Sequence, residues 1–252
     1  MENCDILSNE NFIINVKKNY FMEAIIKKIK NGESLTEEEQ LKLFDLPECV
    51  KLLEEFIQRH CFCAKAELRL FRFNVPDKRT ELLKMYLSKY SLCVASELKM
   101  LDIPEKETLL EIYLSWCALS EEAQFKMLKM PDGGKLLRLY LKKNHCLSEK
   151  VQLKMLDLPQ RVEFLEIYLS AAPWPLFKVF NYWLCMAAQL KLFDLPDRVK
   201  LFELYVRKTS LCYEAELKML DMPERRAFFE FYTQRYYLGS EAEKKAYKLG
   251  LV

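Results

Sequence analysis

The chain has 252 residues, 51% hydrophobic and 30% charged, and Lys+Arg 39 against Asp+Glu 37 leaves a formal charge of only +2. Its 5 glycines against 9 prolines exclude glycine-rich phosphate cradles, dinucleotide fingerprints and the many tight turns of a sandwich or barrel, because only glycine takes positive φ without penalty. The balanced charge advertises no nucleic-acid or acidic-membrane partner, and nine cysteines are too sparse and too odd for a disulfide framework.

The chain starts Met-Glu-Asn-Cys-Asp, without the basic and apolar segments of a signal peptide, and no run of about 18 apolar residues follows. An all-α, soluble, cytoplasmic protein with no membrane partner is expected. Residues 11–31 place the apolar pairs Ile13/Ile14, Phe21/Met22 and Ile25/Ile26 at helical spacing and end at Gly32, a good C-cap. Residues 1–33 therefore read as an N-terminal capping helix.

From Leu35 onward the chain repeats itself. LKLFDLP (41–47), LRLFRFNVP (68–76), LKMLDIP (98–104), FKMLKMP (125–131), LKMLDLP (153–159), LKLFDLP (190–196) and LKMLDMP (217–223) are variants of one unit. A leading Leu or Phe (35, 62, 92, 119, 147, 184, 211, 238) opens each, and an aromatic (Phe56, Tyr86, Tyr113, Tyr140, Tyr168, Tyr205, Tyr232) lies in its second half. Leu92 to Leu119 gives the basic period of 27 residues; the second unit carries extra residues around Arg72–Val75, the fourth one near Asn144, and the fifth an insertion at 171–182. Seven units fill 34–237, half a unit at 238–252 forms a C-terminal cap with Lys244 where the units have leucine, and all belong to one domain.

Each unit reads as two helices. Thr36, Cys63, Cys93, Ser120, Ser148, Cys185, Cys212 and Gly239 supply a small N-cap to the first helix, with Thr36 and Glu39 forming a capping box. Proline in the Asp-Leu-Pro tripeptide stops that helix. The same tripeptide is expected to start the second, with Asp45, Asn74, Asp102, Asp157, Asp194 and Asp221 as its caps. At 100° per residue Leu109, Leu110, Tyr113 and Leu114 share one arc, whereas Ala123, Phe125, Met127 and Leu128 spread around most of theirs. The second helix is one-sided and the first is covered on several sides. The pattern resembles the broad HEAT-like and armadillo-like class of α-helical repeats, an α-solenoid with a shorter unit, which implies an extended binding surface and no particular chemistry.

Candidate sites follow from departures and recurrences. The repeated tyrosines sit inside the apolar arc and read as core rings whose hydroxyls reach a polar edge, not as a base-stacking ladder. Lys42, Arg69, Lys99, Lys126, Lys154, Lys191 and Lys218 sit in the last turn of the first helix, where a cation meets the helix dipole and nearby aspartates; as a continuous stripe they would instead track a phosphate backbone. Glu54, Lys84, Glu111, Arg138 and Glu166 alternate in sign and suggest a lateral ion-pair ladder, and Glu203 and Glu230 continue it as an acidic strip. His60-Cys61-Phe62-Cys63 and His145-Cys146 lie too far apart to share an ion, so no metal site or cofactor is expected. Asp132-Gly133-Gly134-Lys135 reads as a distorted turn. Catalysis has no triad, elbow or P-loop to stand on.

The insertion carries Ala171-Ala172-Pro173-Trp174-Pro175-Leu176-Phe177 and continues to Trp183. A stiff Pro-Trp-Pro tip is an interface anchor, or else Trp174 plugs a widened gap between the fifth and sixth units. Trp116 stands where neighbours carry Lys89 and Lys143. The leading expectation is a non-enzymatic scaffold binding another protein or peptide through Trp174, Phe177, Trp183 and Trp116. A nucleic-acid-binding solenoid using the lysine stripe is the alternative, and an enzyme with a site across repeats comes third.

Overall fold

Sixteen helices and no strand occupy the described residues of the computed structural model, which are 20–143, 146–171 and 184–252. Helix α1 spans 20–31. Seven helix pairs follow: α2 (Glu37–Leu43) with α3 (Cys49–Ile57), α4 (Ala64–Phe71) with α5 (Pro76–Leu87), α6 (Val94–Met100) with α7 (Lys106–Tyr113), and α8 (Glu121–Lys129) with α9 (Gly133–Lys142). The rest are α10 (Glu149–Met155) with α11 (Arg161–Ala171), α12 (Met186–Leu192) with α13 (Arg198–Val206), and α14 (Tyr213–Asp221) with α15 (Arg225–Thr233), before the closing α16 (Ser240–Lys248). The chain divides between Cys117 and Ala118 into two compact halves, one carrying α1–α7 and the other α8–α16.

The proline tripeptide ends the first helix as expected, but it does not start the second. Leu46, Ile103, Met130, Leu158, Leu195 and Met222 each accept the N–H three residues on, at 2.9–3.2 Å. Each forms a four-residue turn with proline at its second position, where the pyrrolidine ring presets φ. The turn moves the start of the second helix three residues past the expected cap, so its N-cap is Glu48, Glu105, Asp132, Asp197 or Glu224. Asp45, Asp157 and Asp194 are left before the turn, where their carboxylates pair with Arg69, Lys191 and Lys218. Only α5 begins on its proline, Pro76.

Within each half the two helix types pack on their own kind. In the N-terminal half α4 lies against α2, α6 and its partner α5, while α5 lies against α3 and α7. In the C-terminal half α10 lies between α8 and α12, α14 touches α12, α15 and α16, and α11 lies between α9 and α13. This explains the two sequence patterns: a first helix has neighbours on three sides, a second helix keeps one open face. The repeat aromatics are core rings, Phe56 and all six tyrosines being fully buried. Each such side chain stabilises the fold by about 1.5–3 kcal/mol through removal of apolar surface from water.

Chain ends and glycines have specific duties. Gly32 takes φ 71°, and Glu33 N–H to Lys28 C=O (2.9 Å) with Gly32 N–H to Ile29 C=O (3.0 Å) closes α1 in a Schellman motif. The Gly133 stretch is not a distorted turn. Helix α9 starts regularly there, and a Cβ at Gly133 would stand 2.7 Å from Leu128 O and 2.8 Å from Met127 O. Glycine is needed because α9 crosses the end of α8 at backbone contact.

Candidate interaction surface

Five residues after each leading residue stands a buried Gln or Glu: Gln40, Glu67, Glu97, Gln124, Gln152, Gln189 and Glu216. Burial of such groups is costly unless they are hydrogen-bonded. Six of them find a partner in the next repeat. Gln40 Oε1 accepts the Cys63 N–H (2.7 Å), Glu67 Oε2 the Cys93 N–H (3.0 Å), Gln124 Oε1 the Ser148 N–H (3.1 Å), Gln152 Oε1 the Cys185 N–H (2.7 Å), Gln189 Oε1 the Cys212 N–H (2.7 Å) and Glu216 Oε2 the Gly239 N–H (2.9 Å). Every acceptor thus satisfies an N-cap amide that its own helix leaves unpaired. Among these caps only Ser148 also accepts a bond from its own first turn; Cys63, Cys93, Cys185, Cys212 and Gly239 provide no side-chain cap.

Amide and acid versions of this latch are wired differently. Gln40, Gln124, Gln152 and Gln189 use Nε2 to donate to the carbonyl of their own leading leucine, at 2.8–3.1 Å. A glutamate has no N–H, so a tyrosine hydroxyl donates to it: Tyr86 to Glu67 (3.0 Å), Tyr113 to Glu97 (2.9 Å) and Tyr232 to Glu216 (2.7 Å). Each hydroxyl in turn accepts the N–H of the leading residue, Phe62, Leu92 or Leu211. Burial pushes these phenols well above their ordinary pKa, so they stay protonated donors. The first repeat, with Phe56 in place of tyrosine, carries Gln40. Tyr205 pairs with a glutamine repeat, and its buried hydroxyl has no hydrogen-bond partner among the described residues.

The first repeat has no latch to receive. There Glu39 turns back on its own N-cap, accepting the Thr36 N–H at 2.9 Å while its N–H reaches Thr36 Oγ1 at 3.3 Å, which is the expected capping box. Burial opposes the Glu39 charge, yet bonds from Lys28 and Thr36 hold its carboxyl below the ordinary range. Later repeats place small or short buried residues there, Ala66, Ser96, Ala123, Val151, Ala188, Ala215 and Ala242, because the incoming side chain already supplies the acceptor.

Arg69, Lys191 and Lys218 of the proposed phosphate stripe, and Lys245 at the same place in the closing half-unit, are tied to the preceding repeat, while Lys42 pairs with Glu38 on its own helix. Arg69 pairs with Asp45, Lys191 with Asp157 (2.6 Å), Lys218 with Asp194 (2.7 Å) and Lys245 with Asp221 (2.6 Å). Arg69, Lys191 and Lys245 also donate to the backbone carbonyls of Leu41, Leu153 and Leu217. A second set joins the starts of second helices: Arg79 to Glu105, Arg161 to Asp197 and Arg198 to Glu224, at 2.6–3.2 Å. The ladder expected along Glu54, Lys84, Arg138 and Glu166 does not form between Glu54 and Lys84 or between Arg138 and Glu166. Charges meet at the helix ends instead, where one repeat's cation reaches the next repeat's acid or the reverse. Glu203 and Glu230 pair with Arg207 and Arg226 on their own helices.

Of the expected contact residues, Trp174, Phe177 and Trp183 lie outside the described residues. Trp116 is 45% exposed, and its Nε1–H donates to Leu87 C=O at 2.8 Å while the ring meets Tyr113 edge-on. The bond reaches back to the end of α5, so the half-exposed ring is held in one orientation. His60 has a packing role: its Nε2 lies 3.2 Å from Gly32 O and its ring stacks on Phe56. His145 lies outside the described residues. Among the described residues no three His, Cys, Asp or Glu converge as metal ligands would, and no helix is long and apolar enough to cross a membrane. A cavity of about 360 Å³ between α1 and α3, lined by Met22, Ile26, Leu46, Pro47 and Leu52 with Lys30 and Glu55 at its rim, gathers no catalytic set.

The sequence reading passed over the latch. Its signal was present as a Gln or Glu at one fixed place in every first helix, on a face whose other residues are apolar. None of the protein families, curated proteins or solved structures compared with this chain matches it. What the fold defines is an all-helical protein of repeated helix pairs.

Proposed function

We propose that the chain is an α-solenoid scaffold, non-enzymatic, that binds another protein or peptide through Trp116 and the aromatic insertion with Trp174, Phe177 and Trp183. The observation that carries this reading is the closure of the fifth and sixth repeats on one another across the insertion. Gln152 bonds Cys185, Lys191 pairs with Asp157 and Arg161 with Asp197, the same three links found between repeats with no insertion. No widened gap between these repeats calls for a plug. Rigidly held aromatics of the Trp116 kind dominate protein interfaces because little entropy is lost on binding. The tethering of Arg69, Lys191 and Lys218 to aspartates weighs against the phosphate-tracking alternative.

The test is affinity capture with the full chain, with W116A and with W174A, followed by reconstitution of the captured partner from purified components. Each replacement is expected to weaken the purified complex by more than about tenfold while leaving the helical melting curve in place. Unchanged affinity in both variants would sink the site assignment, and stronger capture of RNA or DNA than of protein would favour the nucleic-acid reading.

A further inference from the structure

We infer that the partner segment meeting Trp116 is an extended acidic peptide, held along the N-terminal half by Arg59, Lys89 and Trp116; this rests on the protein-binding reading above. The three residues occupy one repeat position, three after Phe56, Tyr86 and Tyr113, and all three are exposed. Gln58, Ser88 and Ser115 stand exposed beside them. The segments 56–64, 86–95 and 113–117 contain no aspartate or glutamate. On the opposite edge Arg69 and Arg79 are paired with Asp45 and Glu105. Here neither Arg59 nor Lys89 has a carboxylate within ion-pair distance among the described residues, Glu33, Glu54 and Glu55 of the neighbouring segments included.

A cation near a helix C-terminus also has a purely local use, since it offsets the dipole. Trp116 separates the two roles. It is uncharged, yet it too bonds to the end of the preceding second helix: Trp116 Nε1 reaches Leu87 C=O at 2.8 Å, while Lys89 Nζ reaches Gln58 Oε1 at 2.5 Å and Gln58 C=O at 3.4 Å. At Lys89 and Trp116 the structural duty of the position is a hydrogen bond to the preceding helix end, which needs no positive charge.

The spacing selects the ligand's form. Helices packed side by side recur at about 8–10 Å, which an extended chain rising about 3.3 Å per residue covers in three residues. Glutamates at every third position would therefore face Arg59 and Lys89 in turn, with an apolar residue three further on against the Trp116 ring.

The probe is a fluorescein-labelled peptide with glutamate at every third position and a terminal phenylalanine, titrated by anisotropy with the full chain at low salt. A lysine-for-glutamate peptide and oligothymidylate are the comparators. Saturable binding of the acidic peptide is expected, about tenfold weaker in the double variant R59E/K89E, with W116A weakening only the form that carries phenylalanine. Melting curves of the variants should match the parent chain, all three positions being at the surface. Equal binding of the lysine peptide, or affinity unmoved by R59E/K89E, overturns the inference, as does preferred binding of oligothymidylate lost in the same variant. Should the peptide fail while partner capture still depends on Trp116, the acidic-peptide inference falls and the protein-binding reading stands.

Discussion

Gln152 Oε1 accepts the backbone N–H of Cys185 at 2.7 Å across 33 positions of sequence, whereas the corresponding pair Gln189 and Cys212 is separated by only 23. The insertion lengthens the loop without lengthening the bond. One side chain therefore measures the distance between repeats, and the loop length does not enter. A latch of this kind satisfies a helix N-terminus from outside its own helix, so each repeat completes its neighbour.

Removing the latch leaves two buried backbone groups unpaired. Gln152→Leu strips the acceptor from Cys185 N–H and the donor from Leu147 C=O, and the expected loss is about 1–3 kcal/mol. Urea unfolding followed by circular dichroism measures it; an unchanged midpoint would show that the bond contributes nothing net.

Two tyrosines at the same repeat position should respond with opposite signs. Tyr232→Phe leaves the buried Glu216 without its hydroxyl donor and is expected to cost about 1–3 kcal/mol. Tyr205→Phe removes a buried hydroxyl that has no partner among the described residues, so stability should hold or rise. Thermal midpoints of the two variants, measured side by side, decide the point.

Glu39 sets a pH dependence. Its carboxyl is held below the ordinary value of 4.5 in the folded chain, so the folded state binds fewer protons than the unfolded one near that pH. Its contribution is complete above pH 4.5 and is lost as pH falls through the lowered value. Glu39→Gln should flatten the acid limb of a stability profile below pH 4.5 and leave the slope at neutral pH alone. An unaltered acid limb would contradict the assignment.

Exposed ion pairs between repeats should matter little. Lys218 and Asp194, whose side chains are 29% and 64% exposed, are expected to couple by about 0–1 kcal/mol in a double-mutant cycle. The coupling should shrink further in added salt. A salt-insensitive coupling above that range would mean that the stripe is a principal support of the stack.

Gly133→Ala places a Cβ within 2.8 Å of two backbone carbonyls at the end of α8. No rotamer relieves a backbone clash. The expected cost is about 1–3 kcal/mol, read from urea unfolding, against a small gain for the same substitution at an unobstructed helical glycine.

Much of this was legible in the residues. The helix pairs, both helix types, the capping box at Thr36 and Glu39, the Gly32 terminus and the buried tyrosines all follow from spacing and local stereochemistry. The start of the second helix was misread because proline at the second position of a turn and proline in a first helical turn look alike in sequence. The charge ladder was misplaced for a different reason: sign alternation carries no distances, so Glu54 does not meet Lys84 nor Arg138 Glu166, whereas Arg69 and Asp45 or Arg198 and Glu224 pair where helix ends bring them within reach.

Period, helix boundaries and core faces are local properties, written in the sequence by hydrophobic spacing, proline and glycine. Which polar groups meet is decided only when neighbouring repeats are set against one another. Glu67 and Gln40 occupy one position, yet one takes its proton donor from Tyr86 and the other gives its own N–H to Leu35. That difference arises because a buried carboxylate and a buried amide need opposite partners, and the partners are supplied by tertiary packing.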